Sequence, residues 1–364
     1  MVGLDKGFLR GGNEPGAIGG MLAAAVGDGR VPGVVAAAGR GPVTLATWAA
    51  GQADTLPGTA RPVTAGTIFD LASLTKVVAT TTAILALIER GQLRLDDAVT
   101  GFLPDFAACR AGPVTIRHLL THTSGLPDTR RFDQCCSSPQ ELRRALHGIR
   151  LQAPPGSRIV YSDLGFLALG EIAAAAAGQP LEEVVRDLVT GPLGMTGTGF
   201  CPLAAPLAVP PAEIAATEPR GDGTAWTGVV HDENARLLGG VAGHAGLFAP
   251  AADLARFAAW WVSDGGGPVS AGLRHAAASC QTAGLDGRRG LGWACAGDGM
   301  DVHGGSWPAT AVSHSGFTGT SLVLDPASGG WLVLLTNAVH FGRDHSAIRA
   351  LRRQVHAAAA PLLT

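Results

Sequence analysis

The chain has 364 residues, 46% of them hydrophobic and 15% charged, and a formal net charge of −2. This length can bury one large core or two subdomains, and the composition excludes a disordered chain. The near-neutral balance, without a basic tract, argues against a nucleic-acid partner.

Met1–Gly16 has no apolar core and no small-residue cleavage pattern, so the sequence predicts a cytoplasmic chain without a secretory signal. No apolar run reads as long enough for a membrane span; Ile172–Ala177 is short and Ala-rich. Ala17–Val26 reads as a short helix. Val34–Ala38 and Val43–Trp48 flank the turn Gly39-Arg40-Gly41-Pro42, which predicts a β-hairpin.

The stretch Asp70-Leu71-Ala72-Ser73-Leu74-Thr75-Lys76 opens a helix that the apolar run Val77–Arg90 continues and Gly91 caps. Positions i and i+3 share a helix face, so Ser73 Oγ and Lys76 Nζ are expected within hydrogen-bond reach. A serine hydroxyl is inert until a base takes its proton. A lysine desolvated by an apolar helix can have its pKa lowered enough to be that base. Of 27 basic residues only Lys6 and Lys76 are lysines. Arginine cannot act as a base at neutral pH, so a position that keeps lysine points to a group that must deprotonate. The bland alternative is a surface serine near a surface lysine.

Leu95–Leu103 reads as a connector in which Asp96 and Asp97 cap or are solvated. Thr115 is a plausible N-cap for a helix that Gly125 and Pro127 stop. His118 and His122 stand four apart, a spacing that can bind metal. No Glu or third ligand accompanies them, and a histidine at a helix C-terminus suits the dipole, so the structural reading is preferred. Pro139–Ile149, Leu164–Ala177 and Pro180–Val189 read as helices. Tyr161 is the one tyrosine in the chain and lies between a Pro-Gly turn and a helix. A phenol can share a serine's proton with a lysine or shuttle it to a leaving group; its bland role is a core-edge residue. Asp163 reads as a helix N-cap.

Pro202–Thr224 reads as a long surface connection. After it, His231 and Asp232 are candidate substrate contacts, and Asn234 is one of three asparagines. The glycines of Gly239–Gly246 allow close backbone approach. Asp253–Val262 reads as a helix. Leu291–Ala296, Ala311–His314, Thr320–Leu324 and Trp331–Thr336 read as strands, and His345–His356 as a last amphipathic helix. In His314-Ser315-Gly316-Phe317, small residues let a substrate lie along a strand edge, and the Phe317 N–H can pair with that of Ser73 as an oxyanion hole. The bland alternative is a hairpin turn with an incidental histidine. Six cysteines (Cys109, Cys135, Cys136, Cys201, Cys280, Cys295) contain no C-x-x-C pair, so neither zinc nor a Cys135–Cys136 disulfide is expected.

Ser73-Leu74-Thr75-Lys76, Tyr161-Ser162-Asp163 and His314-Ser315-Gly316, in this order, resemble the motifs of the penicillin-binding protein and class C β-lactamase superfamily. The resemblance extends from about Val34 to Asn337. It implies an α/β (α+β) fold in which residues 1–79 and 225–364 build an antiparallel sheet flanked by terminal helices. Residues 80–224 form an inserted all-helical domain, with the site in the cleft between the two. It further implies Ser73 as nucleophile, Lys76 and Tyr161 as proton carriers, and the Ser73 and Phe317 amides as oxyanion donors. Asp163, His231, Asp232, Asn234, His314, Ser315 and Gly316 are the candidates for substrate binding. No metal or other cofactor is implied, and the expected partner is a small-molecule amide or ester.

Two departures from the family pattern bear on activity. Asp163 stands where Asn is usual and adds a negative charge beside Lys76. His314 stands where a lysine would grip a β-lactam carboxylate, and an ordinary imidazole titrates near about 6.5. The His-Ser-Gly form is similar to that of the esterases, amidases and acyltransferases of the superfamily. His231-Asp232-Glu233-Asn234-Ala235 with Gly243-His244-Ala245-Gly246 resembles the branch that includes muramyl-L-alanine amidases and the penicillin-binding protein 4B type. The expected activity is hydrolysis of an amide or ester through an acyl-enzyme on Ser73. An acyltransferase and a non-catalytic binding module on the same fold are the alternatives, and retention of Ser73, Lys76 and Tyr161 together counts against the latter.

Overall fold

The computed structural model describes residues 15–106 and 112–364; Lys6 and Cys109 lie outside them. Its strands are β1 (Gly33–Arg40), β2 (Val43–Asp54), β3 (Arg61–Pro62), β4 (Ile68–Asp70), β5 (Gly199–Phe200), β6 (Leu247–Pro250), β7 (Ala294–Cys295), β8 (Val312–Ser315), β9 (Ser321–Leu324) and β10 (Gly330–Thr336). One antiparallel sheet has the order β3-β2-β1-β10-β9-β8-β7, and a smaller one the order β4-β6-β5.

Successive side chains of a strand point to opposite faces, so a strand that is apolar throughout needs cover on both sides. The central pair meets this demand. Val35, Ala37, Trp331, Val333 and Leu335 belong to one core, and Val34, Ala36, Ala38, Leu332 and Leu334 to the other. The terminal helices Pro15–Gly27 and Ser346–Leu363 cover the second face. Helix Ala251–Trp261 packs on the first, where Phe257, Trp260, Trp261 and Trp293 meet at ring separations of 5.1 to 5.8 Å. The expected hairpin is β1–β2, with a bulge between Ala38 and Gly39.

Three expectations need correction. The helix after Asp70 is not one continuous α-helix: a 3₁₀ turn at Ala72–Leu74 leads into a π-helical turn at Lys76–Thr81 and then into an α-helix at Thr82–Glu89. The run Val77, Val78, Thr80, Thr81, Thr82 is largely β-branched. Thr80 Oγ1 donates to the Gly243 carbonyl at 2.6 Å and Thr82 Oγ1 to the Val77 carbonyl at 2.8 Å, which suits a widened turn. Residues 72–89 do reach the length and apolarity of a membrane span, but 83% of them are buried within the protein, as in a core helix. The stretch from Pro202 to Thr224 is not all surface. Ile214, Ala215, Ala216 and Thr217 are buried, and the Ala215 and Ala216 N–H groups donate to the Ile68 and Ala53 carbonyls.

The cover of the sheet includes a buried histidine. His356, on the terminal helix, shares a 3.0 Å hydrogen bond between Nε2 and Ser321 Oγ. Burial, and then His303 and Arg352, push its pKa down to about 3. The unfolded chain takes up a proton near about pH 6.5 that the folded chain refuses, so this stability is complete above about 6.5 and is lost as pH falls. The loss is about 1.4 kcal/mol per unit, or about 2 kcal/mol at pH 5. His356→Gln should therefore be less stable than wild type in urea at pH 7, by a margin that shrinks by about 2 kcal/mol at pH 5. An equal margin at both pH values would show that the fold does not suppress protonation here.

Candidate active site

The nucleophile turn is held by Asp70, the last residue of β4. Its carboxylate is buried and accepts the Ala72 N–H at 2.9 Å and the His231 N–H at 2.7 Å. Burial raises its pKa against these two hydrogen bonds, which pull it down. The first bond holds Ala72 at φ +47°, a backbone region that costs free energy for a residue with a Cβ. Ser73 follows immediately. Among the described residues, neither its N–H nor that of Phe317 donates to a protein carbonyl. The turn carrying Phe317 is fixed to the nucleophile strand: Thr318 Oγ1 donates to the Asp70 carbonyl at 2.7 Å and Thr320 Oγ1 to the Leu71 carbonyl at 3.0 Å. Gly316 is required here, because a Cβ would lie 2.2 Å from Thr320 Oγ1 and 2.3 Å from the Leu71 oxygen. Buried Arg352 donates to the Gly316 and Thr320 carbonyls at 2.7 and 2.8 Å. Its pKa is lowered by burial to about 10.

Lys76 is wholly buried. Its Nζ stands 2.9 Å from Ser73 Oγ, 3.1 Å from the His244 carbonyl and 2.8 Å from Asp163 Oδ1. The i, i+3 contact read from the sequence is present across the altered helix start. The expected lowering of the lysine pKa is not. Burial depresses it, but the Asp163 carboxylate, and then Tyr161, outweigh burial and push it up to about 12. Tyr161 lies beside the ammonium, with its ring centroid 5.1 Å from Nζ. The Arg289 guanidinium lies 5.8 Å from the same ring.

His122 holds the Tyr161 segment in place. Its Nδ1 accepts the Ser162 N–H at 3.0 Å, its carbonyl accepts the Val160 N–H at 2.9 Å, and its ring lies 4.6 Å from that of Tyr161. Burial, then Arg289 and Lys76, drive its pKa well below the ordinary value, so it is neutral and makes no charge–dipole contact at a helix end. His118 accepts the Thr115 N–H in a capping box. Ser162, rather than Asp163, is the N-cap of helix Asp163–Ala177.

Several expected substrate contacts are otherwise engaged. His231 donates its N–H to Asp70, and its Nε2 meets Glu218 Oε2 at 3.2 Å. Asp232 caps helix Glu233–Leu237 and bonds His244 Nε2 at 2.8 Å through the same Oδ1. Burial would raise its pKa, but His244 and the Ala235 N–H hold it far below the usual carboxylate range. Asn234 accepts the Phe132 N–H at 3.0 Å and donates to the Arg130 carbonyl at 2.8 Å. These three side chains tie protein segments together and do not line the cleft, and neither does Asp163. His314 is buried, and its Nδ1 donates to the Ser315 carbonyl at 2.9 Å. Burial, then Lys76 and Arg289, press its pKa well below the ordinary value. It therefore does not titrate in the working range, contrary to the sequence reading.

The cleft itself measures about 440 Å³ and brings together Ser73, Tyr161, Ser315, Gly316 and Phe317. Its far wall carries Arg349 and Arg353 from the terminal helix, which sequence reasoning missed. Both are exposed, and neither is held in an ion pair among the described residues. Their i, i+4 spacing on an amphipathic helix was the available signal. Asp301 also lines the wall, but its carboxylate accepts the Gly297 and Gly304 N–H groups. Among the described residues, no group of three or more His, Cys, Asp or Glu is placed to hold a metal ion. Cys135 and Cys136 are free thiols, with Sγ atoms 3.9 Å apart.

Asp70→Ala would leave two buried N–H groups without an acceptor, at about 1–3 kcal/mol each, and would release the Ala72 turn. Reaction of Ser73 with a fluorophosphonate should slow on the order of 100-fold, the scale of a small misplacement of reacting groups. Labelling at the wild-type rate would show that the turn holds its shape without the carboxylate.

Residues 18–357 match the Beta-lactamase family. The chain is 34% identical over 308 residues to a protein of Escherichia coli K12 named "Putative D-alanyl-D-alanine carboxypeptidase", covering 76% of this chain and 70% of that one. It is 31% identical to a Salmonella agona protein of the same name, over 76% of this chain and 71% of that one. Among solved structures, EstCE1, described as a hydrolase with promiscuous acyltransferase activity, superposes with a TM-score of 0.72 at 25% identity, over 92% of this chain and 97% of that one. The octameric penicillin-binding protein homologue of Pyrococcus abyssi shares the fold with a TM-score of 0.76 at 22% identity, over 95% and 77% of the two chains. With a serine–lysine pair opening onto a cleft and a match that runs nearly end to end, this chain belongs to the Beta-lactamase family and is a serine hydrolase.

Proposed function

We propose that the protein hydrolyses an amide or ester through an acyl-enzyme on Ser73, and that its substrate carries a carboxylate. The contact of Lys76 Nζ with Ser73 Oγ at 2.9 Å, at the wall of an open cleft, carries this reading. Ser73 Oγ attacks the carbonyl carbon, and its proton passes to the Lys76–Tyr161 pair. The carbonyl oxygen takes up the electron pair and is received by the Ser73 and Phe317 N–H groups. As the tetrahedral intermediate collapses, the pair returns the proton to the leaving nitrogen or oxygen. Water then attacks the ester on Ser73 by the same route in reverse.

The carboxylate is inferred from Arg349 and Arg353, which line the cleft and are held in no ion pair among the described residues. A neutral His314 supplies no charge. The name carried by the curated relatives makes peptides ending in D-alanyl-D-alanine the first substrates to test, followed by muramyl amides and small esters. Acyl transfer is the second reading, favoured by the likeness to EstCE1. An added alcohol or amine that diverts the acyl group faster than water does would select it.

Ser73→Ala should abolish turnover and covalent labelling, and Lys76→Arg should lower kcat/KM by about 100-fold or more. Full activity in either variant sinks the mechanism.

Carboxylated peptides or esters should be turned over with higher kcat/KM than penicillins or cephalosporins. Arg349→Ala with Arg353→Ala should raise KM about tenfold for an anionic substrate and leave that of a neutral ester nearly unchanged, since a charge-assisted hydrogen bond contributes about 1.5–3 kcal/mol. KM for the anionic substrate should stay flat between pH 6 and 8. A KM that rises across that range would restore a titrating His314 to the site.

A further inference from the structure

A second cavity lies apart from the cleft and shares no lining residue with it. It measures about 340 Å³, within the size range of small-molecule sites. Phe248 of β6, Val229 and Val230 give it apolar walls, and Gly239 and Gly240 add bare backbone. Gly228 and Gly240 are held at φ +68° and +95°. A Cβ on the first would lie 2.6 Å from Leu203 Cγ, and one on the second 2.8 Å from Cys201 Sγ, so glycine lets both side chains reach the cavity. Leu203 is still 42% exposed, a large apolar side chain left in water unless something covers it. Cys201 sits at φ +49°, a region that costs free energy for a residue with a Cβ, and its thiol donates to the Gly239 carbonyl at 3.2 Å. Burial raises its pKa, so it lines the cavity as a neutral thiol.

Among the described residues, Arg236 is the one charged member of the lining. Its Nη2 donates to the His231 carbonyl at 2.7 Å, and its guanidinium lies 4.1 Å from the Trp226 ring. Its Nε is buried and has no acceptor, and no carboxylate pairs with it among the described residues. The acids near it in sequence are engaged elsewhere: Glu233, like Glu218, binds Arg343, and Asp232 binds His244. Arg220, on the same Trp226 ring, is paired with Asp222.

We propose that this cavity is a second binding site, for a small monocarboxylate on a hydrocarbon chain. The chain lies against Phe248, Val229 and Leu203, and the carboxylate meets Arg236. One unpaired cation with one buried free donor suits a single carboxylate, and apolar walls suit the chain. The site does not depend on the reaction at Ser73. It adjoins two supports of the nucleophile turn: Phe248 pairs with Asp70 across β4 and β6, and Val230 precedes His231, whose N–H donates to the Asp70 carboxylate.

Octanoate titrated calorimetrically into the full chain should bind, with affinity rising about fourfold for each methylene from butyrate to octanoate. It should slow the reaction of Cys201 with N-ethylmaleimide, read by peptide mass, in proportion to occupancy, while exposed Cys135 reacts at an unchanged rate. Arg236→Gln should weaken octanoate about tenfold or more, the scale of one charge-assisted hydrogen bond, and leave 1-octanol nearly unchanged. Ala204→Trp, at an exposed position of the lining, should exclude both. Absence of octanoate binding overturns the proposal. So does octanoate that binds without protecting Cys201, since it then sits elsewhere, the cleft included. Octanol that binds wild type as tightly as octanoate does, or an Arg236→Gln variant that keeps the wild-type affinity for octanoate, overturns the carboxylate assignment. Protection of Cys201 is read on the unaltered chain, so the test stands even where a variant fails to fold.

Discussion

A lysine ammonium with no exposed surface must recover from protein atoms the several kcal/mol of hydration that it loses on burial. Lys76 does so through Ser73 Oγ, the His244 carbonyl and the Asp163 carboxylate, and each partner needs its own scaffold. Asp163 opens a 15-residue helix, where unpaired N–H groups and the positive dipole end favour a carboxylate. The His244 carbonyl is aimed by the Asp232–His244 bond, and Thr80 fixes the neighbouring Gly243 carbonyl. These two scaffolds can close on Lys76 only because Gly243 has no side chain: a Cβ there would lie 2.1 Å from the Phe166 carbonyl oxygen. Asp232 thus bears on the site at one remove, through the residue whose carbonyl accepts from Lys76.

The oxyanion donors present a separate problem, since Ser73 and Phe317 are far apart in sequence and must be placed together within hydrogen-bond tolerance. Two threonine hydroxyls, Thr318 and Thr320, fasten the second segment to the carbonyls of Asp70 and Leu71, just before the nucleophile. From the other side, Arg352 holds the carbonyls of Gly316 and Thr320. Asp70 is the junction: its side chain shapes the Ala72 turn and its carbonyl anchors the oxyanion turn. Strain at Ala72 and placement of the Phe317 amide therefore depend on the same residue.

This explains which parts were legible in the sequence. The hairpin, the long helices and the late strands were readable because their signal is a local period. Ser73 and Lys76 were readable for the same reason, since a contact at i, i+3 survives even when the helix starts as 3₁₀ and π turns. Tyr161 stood out as the only phenol. The sign of the Lys76 shift was not readable, because it is a competition between burial, visible in the apolar run, and a carboxylate 87 positions away, visible only in the fold. His231, Asp232 and Asn234 were ambiguous in sequence for a related reason. A polar cluster in a glycine-rich stretch looks the same in sequence whether it faces a ligand or joins loops, and here it joins loops. The break in the helix after Asp70 was hidden too, since threonine hydroxyls bonding to carbonyls follow no hydrophobic period.

The resulting charge distribution separates binding from chemistry. At the centre the Lys76 charge is matched by Asp163, and His122 and His314 are kept neutral by burial. At the wall Arg349 and Arg353 are held in no ion pair among the described residues, while Asp301 beside them accepts two backbone N–H groups. Unmatched charge in a cleft attracts an anion over a distance and is screened by salt. The paired charge at the centre is short-ranged, shielded from solvent and largely indifferent to ionic strength. On the proposed reading, a substrate carboxylate would be taken up by Arg349 and Arg353 and not by the paired Lys76. A cationic residue at the His314 position would couple the two, since it would add a second positive charge beside Lys76 and draw the substrate anion toward the reacting carbonyl. The neutral histidine and the arginines of the terminal helix keep these tasks on different elements.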